Sequence, residues 1–191
     1  MARIVKTADP YKAIKYWRSI ALREKNNNNS KREKKLSKPQ MYIMVNTTRP
    51  FFSRIDKNDS KYIRTYRMII YGMLNYSKSL KTITLRASGY NLGKHLAERG
   101  LIRSIDDLPQ VFINQRIGLL DIVDESFNNM KIHIYECMSC YGIPNIGMPM
   151  CDFEAGVIQG ALESLIGKNI TKEKYCWGLG YSFCGFEVYF E

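Results

Sequence analysis

The first 136 residues of this 191-residue chain contain no cysteine; all five lie between Cys137 and Cys184. An odd number confined to the last third argues against a disulfide framework and toward a metal. Long apolar runs are missing too. The longest, Met68 to Leu74, includes Tyr and Gly and falls well short of the ~18 residues of a membrane span. The opening "MARIVKTADPYKAIKYWRSI" is basic but has no apolar h-region, so no secretory signal is expected. A cytoplasmic location with reduced thiols follows as the expectation. Histidine occurs only as His95 and His133, and H-E-x-x-H, G-x-x-x-x-G-K-[ST] and G-x-G-x-x-G are all absent. These absences remove a zincin site, a P-loop and a dinucleotide fingerprint, and they point away from an enzyme.

What is present is a globular composition, 45% hydrophobic with 13 Tyr and 8 Phe, long enough for one domain and an appendage. The net charge of +11 is unevenly placed. Residues 1–40 hold 12 Lys/Arg against Asp9, Glu24 and Glu33, a net of +9, and the remainder nets +2. The chain therefore divides into a basic N-terminal arm and linker, 1–40, and a nearly neutral domain, 41–191. Residues 10–25 read as a short basic helix, with Pro10 in its first turn and Tyr11, Ile14 and Trp17/Arg18 at helical spacing. The run "NNNNSKREKKLSK", 26–38, reads as a linker. Such an arm can attract nucleic acid through phosphate. It can equally be a solvated tail, or a helix docked on the domain by Trp17; no helix-turn-helix or zinc-finger spacing accompanies the charge.

Within the domain, residues 61–80 fit an amphipathic helix with Tyr62, Tyr66, Ile69/Ile70, Met73 and Leu80 on one stripe and Arg67 off it. A second helix is expected over 85–99, where Leu85, Gly89, Leu92/Gly93 and Leu96 share a face and Gly100 is the stop. Glycines four apart on that face allow a close helix approach or leave room beside it. After a short helical segment in "IDDLPQVFINQ", the period changes. Residues 117–125 and 131–137 read as an antiparallel pair, with Ile132 and Ile134 facing one way and His133, Tyr135 and Cys137 the other. A helix over 153–166 and strands near 170–177 and 182–190 complete an α+β fold, an antiparallel sheet packed with helices.

The closing hairpin carries the chemistry. With its turn centred on Gly180, Cys176 and Cys184 oppose each other, and directly opposed Cβ atoms lie about 4.5–5.5 Å apart, close enough for two thiolates on one zinc. Cys151 is a third thiol at the start of a helix, where free amides favour a thiolate. Glu173 falls on the wrong face by strict alternation and joins only if the strand bulges. Three thiolates and one carboxylate would form a closed, structural shell. Cys137 and Cys140, in "CMSC", admit three readings: a buried thiol plus a loop thiol, one of them replacing Glu173, or a redox pair.

Cys151, Glu173-x-x-Cys176, Gly180 and Cys184, with Gly156 and Gly160 in the intervening helix, resemble the pattern of the 4-vinyl reductase domain family. The resemblance covers about residues 65–190 and is strong after Ile117. It implies the ligand-binding sandwich shared with subunits of vesicle-tethering complexes. It also implies structural zinc on Cys151, Glu173, Cys176 and Cys184, a homodimer, and an apolar pocket for a small hydrophobic molecule. Members act as sensor modules for aromatic effectors or stand alone in archaea; one branch is tied to vinyl reduction in bacteriochlorophyll synthesis.

The expected function is a zinc-stabilised binding or sensor module for a small hydrophobic ligand, with Tyr90, Phe112, Tyr135 and Trp177 as candidate pocket walls. The alternatives are an enzyme or accessory protein in tetrapyrrole vinyl reduction, and a nucleic-acid-associated regulator acting through the basic arm.

Overall fold

The computed structural model describes residues 8–27, 31–33, 47–126 and 128–191; most of the expected linker lies outside them. Helix α1, Pro10–Asn26, starts where Pro10 presets the backbone and Asp9 accepts from the amides of Tyr11 and Lys12. A short α2, Phe52–Ile55, precedes α3, Asp59–Tyr76, and α4, Lys78–Glu98. The helix expected over 61–80 is thus two helices. Ser77 is extended (φ −161°), accepts from the Leu80 amide and caps α4. The buried stripe of α3 is also rotated by one residue: Ile63, Arg67 and Ile70 are inside, whereas Tyr62 and Ile69 are exposed. Arg67 faces inward because its guanidinium satisfies the carbonyls of Met138 and Tyr141, at 3.0 and 2.7 Å. Gly100, with φ +71°, ends α4 as expected.

After α5, Leu108–Asn114, come β1, Leu119–Glu125, and β2, Asn129–Tyr135; then α6, Asp152–Leu165, β3, Asn169–Tyr175, and β4, Cys184–Phe190. The four strands form one antiparallel sheet in the order β1-β2-β4-β3. Carried by α6 across one face, the chain returns as the β3–β4 hairpin and inserts β4 beside β2.

Alternation along the strands gives the sheet two buried faces. One carries Leu120, Met130, Ile132, Ile134, Phe186 and Val188 and packs on α4 and α6. These helices meet through glycine: a Cβ on Gly89 or Gly93 would strike the backbone of α6, and one on Gly156 or Gly160 would strike α4. The glycine face therefore serves close approach. The other sheet face carries Leu119 and Tyr135 and packs against Trp17 of α1. No helix among the described residues is long and apolar enough to cross a membrane.

Candidate metal centre

Five buried thiols converge at the end of the sheet nearest the start of α6. Cys184 opens β4, opposite Ile134 of β2. Cys151 immediately precedes α6. Cys176 follows β3, where a single turn of 3-10 helix, Trp177–Leu179, leads to Gly180 at φ +101°. β3 and β4 pair with a register shift between Glu173 and Tyr175. That shift is the bulge on which the carboxylate depended, and it turns Glu173 toward the thiols. Its Oε2 accepts from the Cys151 amide at 3.0 Å, while Oε1 is buried without a partner.

Cys137 also changes sides. Strict alternation puts it with His133 and Tyr135, but Glu136 has φ +50° and breaks the alternation. The turn that follows is closed by the Tyr141 amide on the Cys137 carbonyl (2.9 Å). Cys137 and Cys140 both face the interior, in contact with the other thiols. Sγ of Cys140 is 3.1 Å from Cys184 and 3.3 Å from Cys151; Cys137 is 3.5 Å from Cys151. Cys151 is 3.4 Å from Cys184 and 3.8 Å from Cys176. Two quartets of donor atoms each fall within 4.8 Å of one another: Cys151, Glu173, Cys176 and Cys184; and Cys137, Cys140, Cys151 and Cys184.

Burial raises the pKa of every thiol, and that effect prevails at Cys140, Cys151 and Cys184. At Cys137 and Cys176, burial is outweighed by hydrogen bonds from neighbouring thiols, which pull both well below the usual thiol value. Glu173 is pushed well above the carboxylate range by burial, then by the charge of Cys176. A tight nest of soft donors with an orphaned carboxylate oxygen fits a thiophilic tetrahedral ion.

Three surrounding groups carried no sequence signal strong enough to single them out. Glu154 is fully buried in the first turn of α6. Its Oε1 accepts from Ser139 Oγ (2.6 Å), Cys137 Sγ (3.0 Å) and the Ser139 amide (3.3 Å), and its Oε2 has no partner. A carboxylate within the apolar pattern of that helix was the available clue. Arg67 sits beneath the 137–141 turn. Arg32 stacks on Trp177 (4.3 Å to the ring centroid) and donates to the carbonyls of Trp177 and Tyr181.

The four expected pocket residues do not share a space. Tyr90 donates to Glu163 on the outside of the α4–α6 pair at 2.7 Å, and Phe112 is fully buried in the α4–α6 core. Tyr135 lies on the α1 face, and Trp177 sits under Arg32. A surface cleft of about 430 Å³ opens elsewhere, lined by Arg49, Asp59, Tyr62, Ile63, Tyr66, Gln115, Arg116 and Met138. Met138 lies between two of the clustered cysteines, and the Tyr66 hydroxyl is 3.3 Å from Ser139 Oγ.

Comparison with known proteins agrees with this geometry. Uncharacterized protein MJ1642 of Methanocaldococcus jannaschii is 39% identical over 100 residues, 52% of this chain and 61% of that protein. The chain thus spans less than two thirds of the length of that curated relative. Among solved structures, a vinyl-4-reductase family protein from M. jannaschii aligns at 25% identity with a TM-score of 0.50, covering 67% of this chain and 78% of that one. Two more distant structures share the fold. The phenol-responsive sensory domain of the transcription activator PoxR, solved with phenol, has 13% identity and a TM-score of 0.54, covering 64% and 71%. Trafficking protein particle complex subunit 3 from Naegleria fowleri, covalently bound to palmitic acid, has 18% identity and a TM-score of 0.52, covering 72% and 96%. The family model that matches residues 130–190 takes in β2, α6 and the closing hairpin, and this part of the chain is a 4-vinyl reductase domain.

Proposed function

We propose that the chain is a metal-stapled sensor module that binds a small, largely apolar ligand and performs no chemistry on it. The carrying observation is the cleft beside the thiol turn. Tyr62, Ile63, Tyr66 and Met138 supply apolar walls, and Gln115 and Arg116 supply polar groups at its edge. From Tyr66 a short chain of contacts runs through Ser139 and Glu154 to Cys137. A ligand in the cleft would therefore press on the turn that carries two thiols. The PoxR sensory domain answers to phenol and the N. fowleri subunit carries palmitic acid; small aromatic and acyl compounds are accordingly the first ligands to test.

In this reading Cys151, Glu173, Cys176 and Cys184 hold zinc, and a shell of four protein donors makes it a structural clip. His133, the nearest histidine on the sheet, faces α1 instead. Burial holds its pKa down at about 4, so it is neutral at pH 7 and offers no proton. The reading includes a homodimer in the reducing cytoplasm. The Trp17 helix is anchored on the sheet, and a nucleic-acid role for residues 1–40 would show as binding that weakens steeply with salt.

Calorimetry and thermal shift with phenol, benzoate and medium-chain fatty acids test the ligand. At 100 times Kd a ligand should add about 2.7 kcal/mol of stability. Gln115→Trp, at an exposed position on the rim, should abolish binding while leaving the melting temperature of the free protein unchanged. Equal binding by Gln115→Trp would move the site away from the cleft. No response to any of the three ligand types would defeat the reading.

A further inference from the structure

The two donor quartets share an edge. Cys151 and Cys184 belong to both; Glu173 and Cys176 complete one, Cys137 and Cys140 the other. We propose that the core holds two metal ions, the second bound by Cys137, Cys140, Cys151 and Cys184, with Cys151 and Cys184 bridging it to the ion on Glu173 and Cys176. The proposal rests on the zinc site above for its first position and adds a second that needs no further side chain.

Separation of the sulfurs is the first argument. Two thiolates on one tetrahedral zinc, each bonded at ~2.3 Å, stand about 3.8 Å apart. Cys137 and Cys140 lie 3.1–3.5 Å from the two shared sulfurs, within a few tenths of an ångström of that spacing. An iron–sulfur cube gives each cysteine its own iron, so direct contact among four cysteine sulfurs argues against one. The C-x-x-C spacing of Cys137 and Cys140 on a tight turn suits two ligands of a single ion.

Charge is the second. Taking up a divalent ion, Cys137 and Cys140 each lose a proton to solvent as two new metal–sulfur bonds form. The bridging thiolates use lone pairs left free by the first ion. Buried charge is unchanged by this step: two positive charges enter and two protons leave. Five thiolates and one carboxylate around two divalent ions carry a net charge of −2. Two guanidinium groups flank the cluster, Arg67 on the carbonyls of the 137–141 turn and Arg32 on those of the hairpin.

Support around the second position is the third. Glu154 is fully buried, holds Cys137 and Ser139 through one oxygen and keeps the other unpartnered. Carboxylates in this position orient metal ligands from outside the first coordination sphere. A lone structural zinc on the other quartet gives no reason for a buried acid here.

The test is metal stoichiometry of the full chain, purified anaerobically with added zinc, by native mass spectrometry and elemental analysis. Two zinc ions per chain are expected, falling to one in Cys137→Ala/Cys140→Ala. Cadmium-113 NMR of the cadmium-loaded wild type provides a readout that does not depend on the variant folding: two resonances, mutually coupled through shared sulfur. X-ray absorption of the zinc form should show a metal–metal vector at about 3 Å, set by zinc–sulfur bonds of ~2.3 Å across the bridge. One zinc in wild type and variant alike, with a single cadmium resonance, would overturn the second site and leave the single-zinc reading standing. No zinc in either would overturn both. Two zinc ions in the double variant would overturn the ligand assignment.

Discussion

The two faces of the sheet are held by different chemistry. Toward α4 and α6 the contacts are aliphatic side chains, glycine-spaced helix backbones and five thiols. Toward α1 they are aromatic rings and buried charge: Trp17 stacks near Tyr135 and donates to Glu136, while Arg18 pairs with Asp121, which also accepts from the Tyr135 hydroxyl. Glu136 joins the two. Its carboxylate belongs to the α1 face, and its positive φ turns Cys137 into the opposite one. A metal-bonded face should fail all at once when a ligand is lost, and a packed face by degrees.

The sharpest way to break the comparison is Cys184→Ser. Cys184 belongs to both donor quartets and sits at the start of the central strand β4. Structural zinc contributes about 10–16 kcal/mol in small domains, as much as the whole stability of an ordinary domain. The variant should lose zinc and cooperative unfolding, read by metal analysis and circular dichroism. A Cys184→Ser protein with full zinc and an unchanged melting temperature would show that this face is not metal-held.

Trp17→Ala attacks the other face alone. It removes a side chain that is 5% exposed and leaves Glu136 without a 3.0 Å donor. A loss of about 3–5 kcal/mol is expected in urea unfolding, with zinc content unchanged. Loss of zinc on this substitution would mean that the two faces do not fail independently.

How far the sequence revealed these faces follows from what each depended on. Helix and strand existence rested on periodicity, and α4, α6 and the β1–β2 and β3–β4 pairs follow it. The hairpin thiols could be placed because opposition across a turn is local geometry. Glu173 and Cys137 were harder: each depends on one irregular backbone step, a bulge in β3 and a left-handed Glu136, and neither residue type announces it. Arg67 defeated the hydrophobic pattern because a guanidinium was buried to satisfy two turn carbonyls. The cleft joins residues 49 to 138 and depends on tertiary placement alone.

Titration sharpens the comparison next. Burial first, opposed by donation from Trp17 and the Phe51 amide, raises Glu136 to about 7. Between about 4.5 and 7 the folded chain holds a proton that the unfolded chain has released, so stability falls as pH rises through this window. The change approaches ~3 kcal/mol at 1.36 kcal/mol per pKa unit. Proton competition at the thiolates runs the opposite way, weakening metal binding as pH falls. Comparing urea unfolding of wild type and Glu136→Gln at pH 5 and pH 8 isolates the carboxyl contribution: wild type should lose more stability between those values than the variant. Parallel pH profiles would show that Glu136 keeps an ordinary pKa.

The smallest effect comes from one chemical change made in two helices. In α4, a Cβ on Gly93 would strike the Val157 carbonyl of α6, a backbone group that cannot rotate aside. Gly93→Ala must therefore part the helices, costing about 1–3 kcal/mol of overpacking, partly offset by the ~1 kcal/mol that Ala gains over Gly in a helix. In α3, a Cβ on Gly72 would meet nothing within 4 Å, so only the helix gain acts. Gly72→Ala should stabilise by up to ~1 kcal/mol and Gly93→Ala should destabilise by a similar amount, both read from urea midpoints. Equal signs would show that the α4–α6 contact yields more readily than its backbone spacing implies, and the metal-bearing face would then owe its rigidity to sulfur rather than to helix packing.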